Sequence, residues 1–163
     1  LLGKKRNTPE IVKKAFSQIL QVLANVKDEK EFETAKQDIK KIVKEVYSRI
    51  KSKQFTLDEV SFNVMLNKNL STYTKTTPQH VKAARMYVAV TGKPLGPGEV
   101  ISFVKVRGGE GVKPTALASL DEIDIDKYIE SLRTTLEQIL DALGLSFDEI
   151  IGVTDLSSFI QFK

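Results

Sequence analysis

The residues best suited to chemistry lie between positions 73 and 80, where an aromatic ring, a lysine, a hydroxyl and the only histidine follow closely: Tyr73, Lys75, Thr77 and His80. Ammonium and hydroxyl groups donate hydrogen bonds to phosphate oxygens, and a tyrosine ring can lie against a sugar. His80 falls in the first turn of a helix that Pro78 opens, where free backbone N–H groups favour an anion. The pattern predicts phosphate contacts, and a plain capped helix with an exposed histidine is the alternative.

A second candidate is the glycine-rich stretch Gly108-Gly109-Glu110-Gly111, which lies between Arg107 and Lys113. Glycine carries no side chain, so its backbone can approach a phosphate group closely. The alternative is a plain hairpin turn, in which the flanking charged residues only keep the protein soluble.

Several kinds of enzyme chemistry are excluded by composition. The chain has no cysteine and one histidine, which excludes a thiolate metal site, a cysteine nucleophile and a histidine-based metal cluster. No G-x-S-x-G, H-E-x-x-H or G-x-x-x-x-G-K-[ST] motif occurs. Four acids, Asp121, Glu122, Asp124 and Asp126, could attract a cation, but the calcium-loop spacing is absent. We interpret them as acids at a helix N-terminus, and we expect no catalytic residue and no metal site in this chain.

The charge of the 163 residues is divided unevenly. Residues 1–55 hold 14 Lys/Arg against 7 Asp/Glu, residues 56–113 hold 8 against 4, and residues 114–163 hold 3 against 10. The first two-thirds could therefore face a polyanion, although ordinary solvated surface is the alternative. No apolar run approaches the roughly 20 residues that span a bilayer, so we expect no membrane partner. Because the chain opens at Leu1 without a signal peptide, we expect a piece of a longer, cytoplasmic polypeptide.

The elements that must position these groups follow from capping signals and apolar periodicity. We predict two helices, beginning at Thr8-Pro9 and near Asp28, that form a long antiparallel hairpin. A short turn at 56–59, an extended segment at 60–66, a helix from Thr77-Pro78 to about Val90, a strand at 100–106 and a turn at 108–111 follow. A third long helix runs from near Asp124 to a stop at Gly144, and a short helix follows Ser146. The predicted fold class is α+β and mostly helical, with the helical hairpin at its base, a small mixed tip containing a β-hairpin, and a C-terminal helix.

The stretch L-S-T-Y-T-K-T-T-P-Q-H-V-K-A-A, residues 70–84, resembles the thumb motif of family B DNA polymerases, especially the archaeal ones. The matching positions are Leu70, Tyr73, Lys75, Pro78, His80 and Val81. The resemblance continues through the proline-glycine turn at 97–103 and the phrase at 126–129. Residues 3–7 take the place of a basic phrase that follows the palm, with Asn7 where the family often has Asp.

This resemblance implies a thumb domain over residues 1–163, with a helical base at 1–70, a DNA-facing tip at 71–123 and a returning helix and tail at 124–163. Such a thumb domain, or small subunit, holds the primer–template duplex through backbone and minor-groove contacts and supports processive replication. It implies a palm-bearing remainder that carries Mg²⁺ and the catalytic aspartates, so that this chain is inactive alone and acts at the nucleoid. The residues expected near DNA are Lys5, Arg6, Tyr73, Lys75, Thr77, His80, Lys105 and Arg107.

The end of the chain resembles the sliding-clamp peptide of replication proteins. Leu156, Phe159 and Ile160 fall at the positions that enter a hydrophobic pocket, and Val153 replaces the leading glutamine. A tail that packs on its own domain is the alternative. For the whole chain, two other functions stay open: a stand-alone accessory protein that binds DNA or the clamp, and a small enzyme or ligand-binding domain.

Overall fold

The computed structural model describes residues 7–152, which form two compact units. The first unit combines residues 7–10 with Phe55–Lys127, and the second combines Ile11–Gln54 with residues 128–152. Five α-helices and a three-stranded antiparallel sheet confirm the predicted α+β, mostly helical fold. None of the helices in this range is both long and apolar enough to cross a membrane. The predicted limits of a thumb domain stay a prediction.

The first unit is built on three short strands, which are β1 (Phe62–Met65), β2 (Val100–Lys105) and β3 (Val112–Pro114). The central strand is β2, and both neighbours pair with it antiparallel. Lys105 lies opposite Val112, so the glycine stretch is the hairpin loop that its composition predicted. The pairing of β1 with β2 joins segments more than 30 residues apart, and Phe62 stacks on its partner Phe103 with ring centroids 5.4 Å apart.

Helix α3 (Gln79–Thr91) packs against β2 and β3 of this sheet. Its buried residues Val81, Ala83 and Ala84 are small, which lets the helix lie close to the strands. The helix lies where it was predicted, but the predicted cap at Thr77 is wrong. Pro78 takes the position before the first helical residue, and no side chain caps the helix there.

The second unit contains most of α1 (Glu10–Ala24) and all of α2 (Glu29–Lys51). As predicted, α2 begins after Asp28, whose carboxylate accepts a 2.8 Å hydrogen bond from the backbone N–H of Glu31. Part of the apolar stripe that predicted each helix is buried. The buried residues are Ile11, Val12, Ala15 and Ile19 on α1, and Ala35, Ile39, Val43, Val46 and Ile50 on α2.

The second unit is completed by α4 (Ile125–Ala142), apart from its first three residues, and by the single-turn helix α5 (Phe147–Ile151). Both predicted signals at this end are confirmed. The N–H of Gly144 bonds the carbonyl oxygen of Asp141 at 3.0 Å, with a φ of 74° that favours glycine. The hydroxyl of Ser146 accepts from the N–H of Glu149 at 3.3 Å.

Helix α5 is held by Phe147, which is buried between neighbouring side chains. The guanidinium of Arg133 lies 5.1 Å from the Phe147 ring centroid and donates to the carboxylate of Asp148. The ring of Tyr47, on α2, meets Phe147 edge to face with centroids 6.5 Å apart. Short as it is, α5 is therefore fixed to both α2 and α4.

Candidate nucleic-acid interface

The segment of residues 70–80 has little regular structure of its own, and Arg85 on α3 holds it in place. One Nη atom of Arg85 donates to the carbonyl oxygens of Leu70 and Tyr73, each at 2.8 Å, and the other donates to the hydroxyl of Thr77 at 3.3 Å. A guanidinium presents five donors in a fixed plane, which suits several acceptors at once. The bonds give backbone carbonyls of an irregular segment a partner and fix the segment on α3.

Two of the predicted contact residues touch each other within this segment. The Tyr73 and His80 rings meet edge to face, with centroids 6.3 Å apart and 86° between their planes. The ammonium of Lys68 lies 4.6 Å from the Tyr73 ring centroid. Partial burial lowers the pKa of His80 below its ordinary value, which favours the neutral imidazole with its one N–H donor.

The exposed charge of the segment belongs to Lys75. Its side chain is open to solvent, and among residues 7–152 it has no ion-pair partner. The neighbouring hydroxyl of Thr77 accepts from Arg85, and its own proton can still be donated. The structure therefore joins Tyr73 and Thr77 through Arg85 and joins His80 to the ring of Tyr73, with Lys75 in the same segment.

The glycine loop between β2 and β3 lies beside the same face of α3. Gly108, Gly109 and Gly111 all have positive φ, and added Cβ atoms would meet nothing within 4 Å. Glu110 forms a 3.8 Å ion pair with Lys82 of α3. An open cavity of about 360 Å³ is lined by Thr77, Lys82, Arg85, Met86, Ala89 and Glu110. The two candidate regions of the sequence analysis therefore border one cavity.

Lys105 and Arg107 are engaged elsewhere in the first unit. The ammonium of Lys105 lies 5.0 Å from the Phe62 ring centroid, and its pKa is lowered by desolvation and then by the charge of Lys127. The guanidinium of Arg107 donates to the carbonyl oxygen of Asp121. Both cations therefore make contacts within their own unit.

The acidic residues near position 122 serve the fold. Glu122 completes a capping box with Ser119. Its carboxylate also accepts a hydrogen bond from the ammonium of Lys113. This bond, together with the one from the N–H of Ser119, lowers the pKa of Glu122. Asp126 lies in the first turn of α4, as we interpreted it. Among the described residues no three acidic or histidine side chains come close enough to hold a metal ion.

Some predicted residues lie outside the described range, and some important ones were missed. Lys5 and Arg6, and the clamp-peptide positions Val153, Leu156, Phe159 and Ile160, are outside residues 7–152. Sequence reasoning missed Arg85, Lys82 and Lys68. The only signal in the sequence was an arginine, Arg85, in the helix that follows an irregular polar segment. That signal does not predict which carbonyl oxygens the guanidinium bonds.

Comparison with known proteins gives the family. The family model for DNA polymerase family B matches residues 3–143. The chain belongs to this family. The family B chain is 45% identical over 163 residues to DNA polymerase 1 of Sulfolobus acidocaldarius, which covers all of this chain and 18% of that protein. It is 44% identical over 162 residues to DNA polymerase 1 of Saccharolobus solfataricus, covering 99% of this chain and 18% of that protein.

A solved family B DNA polymerase, from the hyperthermophilic archaeon Pyrobaculum calidifontis, is also similar to this family B chain. The TM-score is 0.63 with 26% sequence identity, and the match covers 80% of this chain and 18% of that one. DNA polymerase 1 of Aeropyrum pernix is 39% identical over 160 residues, with 98% of this chain and 17% of that protein covered. The chain thus spans less than a fifth of the length of these relatives.

Proposed function

We propose that this chain is the thumb domain of an archaeal family B DNA polymerase and that it binds the primer–template duplex during replication. The observation that carries the proposal is the arrangement on one face of α3. Thr77, from the motif that resembles the family's thumb, and Glu110, from the glycine loop, line the same cavity, with Lys82 and Arg85 between them. A duplex backbone laid along this face would meet both candidate regions.

The donors available there suit a protein that must slide along any sequence. Lys75 offers a charge, Thr77 a hydroxyl and His80 a neutral N–H, and all three can bond phosphate or sugar oxygens. Contacts to phosphates fix position and orientation but do not read the bases. This supports sequence-independent binding whose strength falls steeply with salt. Lys105 and Arg107, which already contact their own unit, would contribute less.

The chemistry of polymerisation belongs, in this proposal, to other parts of the parent enzyme. Two-metal phosphoryl transfer needs carboxylates that hold the ions, with the attacking and leaving oxygens between them. We place the Mg²⁺ ions and the catalytic aspartates in the palm of the parent polymerase, and we expect this chain alone to be inactive. The relatives named DNA polymerase 1 are more than five times longer than the part matched here, which leaves room for that palm.

Fluorescence anisotropy with a labelled primer–template duplex tests the proposal. We expect sequence-independent binding, with log affinity falling linearly against log salt by about 0.9 for each phosphate neutralised. Mixing the chain with the palm-bearing remainder of the polymerase should raise the length of DNA made in each binding event. Absence of duplex binding at low salt, both for the chain and in the reconstituted enzyme, would contradict the proposed role.

We also propose that the last residues bind a sliding clamp. The spacing of Leu156, Phe159 and Ile160 supports this, because one helical turn would place three apolar groups on one side. Replacing Leu156 and Phe159 with Ala should abolish binding to the clamp in a pull-down while leaving duplex affinity unchanged. Retained clamp binding in that variant would assign the tail to another role.

A further inference from the structure

A second polar cavity lies in the second unit, and none of the residues assigned above to DNA or clamp binding lines it. It has a volume of about 320 Å³ and is lined by Lys40, Lys44, Gly144, Leu145, Ser146, Glu149 and Ile150. The lysines come from α2, and the other residues come from the turn after α4 and from α5. This volume is at the small end of the range for ligand sites, so it suits a small polar group.

Two lysines, Lys40 and Lys44, line this cavity, and neither forms an ion pair with the carboxylate of Glu149, which lines it as well. Lys40 and Lys44 are one helical turn apart, or about 6 Å along the axis, on the same side of α2. Among residues 7–152 neither lysine forms an ion pair. The preceding lysine of this row, Lys36, differs because it pairs with Glu33 at 3.2 Å. The row therefore ends in two cations without an ion-pair partner, and an anion bound near both would be attracted by each.

The turn after α4 adds a hydrogen-bond donor. The oxygen of the Ser146 hydroxyl accepts from the N–H of Glu149, so its own proton remains available to a ligand. Gly144 and Leu145 have their N–H groups bonded to Asp141 and Leu140, which makes this wall of the cavity well ordered. Glu149 is the one carboxylate in the lining, and it leaves the cavity with a net positive charge.

We propose that this cavity binds one phosphate group, held by the ammonium groups of Lys40 and Lys44 and by the hydroxyl of Ser146. Lysine recognises phosphate as a compact charge, and a hydroxyl completes the bonding of a tetrahedral oxyanion. The group can come from free phosphate or from a nucleic-acid backbone, since both present the same oxygens. The site does not rest on the proposed function, because none of its lining residues is used there for DNA or clamp binding.

Amide NMR of the full chain tests the proposal, with the Gly144, Leu145 and Ser146 resonances as the readout. The chain is titrated with inorganic phosphate, with chloride at equal ionic strength, and with a short DNA duplex. Saturable shifts with inorganic phosphate identify a free-ion site, and shifts with the duplex alone identify a backbone contact. Either result supports the site, and no shift with either ligand overturns it.

Variants separate this site from general electrostatics. Replacing both Lys40 and Lys44 with Gln should weaken binding by about tenfold or more, because two charged hydrogen bonds are lost. Replacing Lys13 and Lys41 with Gln removes the same charge from exposed positions outside the cavity and should leave affinity nearly unchanged. Glu149→Gln should tighten binding. Equal losses in the two lysine pairs would overturn the proposal, while the Lys75 resonance reports separately on the duplex face.

Discussion

The ring of Tyr73 meets the imidazole of His80 edge to face, with the two centroids 6.3 Å apart. The contact joins the irregular segment to the first turn of α3. His80 is partly withdrawn from water in this position, which lowers its pKa. In the free protein, the environment of this ring therefore favours the neutral imidazole on the face proposed to meet DNA.

Duplex binding should become stronger as the pH falls from about 7.5 to 5.5, around the ordinary histidine pKa. A nearby phosphate favours the charged imidazole and raises the pKa that burial had lowered, so binding takes up a proton. Anisotropy at constant ionic strength measures the affinity, and NMR follows the only histidine directly. His80→Gln should remove this pH dependence, and an unchanged pH profile in that variant would place His80 away from the phosphates.

The double variant Lys75→Ala with His80→Ala should weaken duplex binding and shorten the products of the parent polymerase. Removing one lysine–phosphate contact should also reduce the slope of log affinity against log salt by about 0.9. Lys93→Ala, an exposed lysine elsewhere in the first unit, serves as the matched control for the charge. Processivity equal to that of the wild type would remove Lys75 and His80 from the interface.

Arg85→Ala should destabilise the protein by about 1–3 kcal/mol, since the carbonyl oxygens of the half-buried residues Leu70 and Tyr73 lose their donor. Urea unfolding measures this change. In the variant, amide hydrogen exchange should accelerate more across residues 70–77 than across the sheet. The reason is that the guanidinium which joins that segment to α3 is missing. Arg85→Lys keeps the charge but not the fork of donors, and it should recover only part of the stability. Full recovery by lysine would show that charge alone matters.

The ion pair between Glu122 and Lys113 should make the free energy of unfolding depend on pH in the acidic range. The pKa of Glu122 is lowered in the fold, so its stabilising effect is complete above the ordinary glutamate pKa and is lost as the pH falls through the lowered value. Urea midpoints of the wild type should therefore fall in this acidic range more steeply than those of Glu122→Gln. Asp126→Asn, an exposed acid in the first turn of α4, is the control and should keep the wild-type profile.

Local signals in the sequence predicted the helices well. Asp28 and Ser146 cap as expected, and Gly144 ends α4, because a cap or stop depends on residues within one turn. The cap at Thr77 was wrong because a more distant residue, Arg85, engages that hydroxyl. The partner of the Thr77 hydroxyl depends on where the side chain of Arg85 lies after folding. No local sequence pattern predicts that position.

Non-local contacts set the limit of the prediction. Lys105 is expected near DNA, which stays a prediction. No local pattern shows that its ammonium lies over the ring of Phe62, whose strand pairs with β2 across a long stretch of chain. The cavity that joins Thr77 to Glu110 depends equally on α3 packing against the sheet. The sequence therefore supplied candidate residues, but their grouping required tertiary structure.

The division of the chain has a consequence for folding kinetics. The second unit unites Ile11–Gln54 with residues 128–152, and the ring contact of Tyr47 with Phe147 closes a loop of about 100 residues. Most of the first unit is one continuous stretch, Phe55–Lys127, inside that loop. Early compaction of this stretch would shorten the flexible chain that must close and reduce its entropic cost. Pulse-labelled amides of β2 should then gain protection before those of α5.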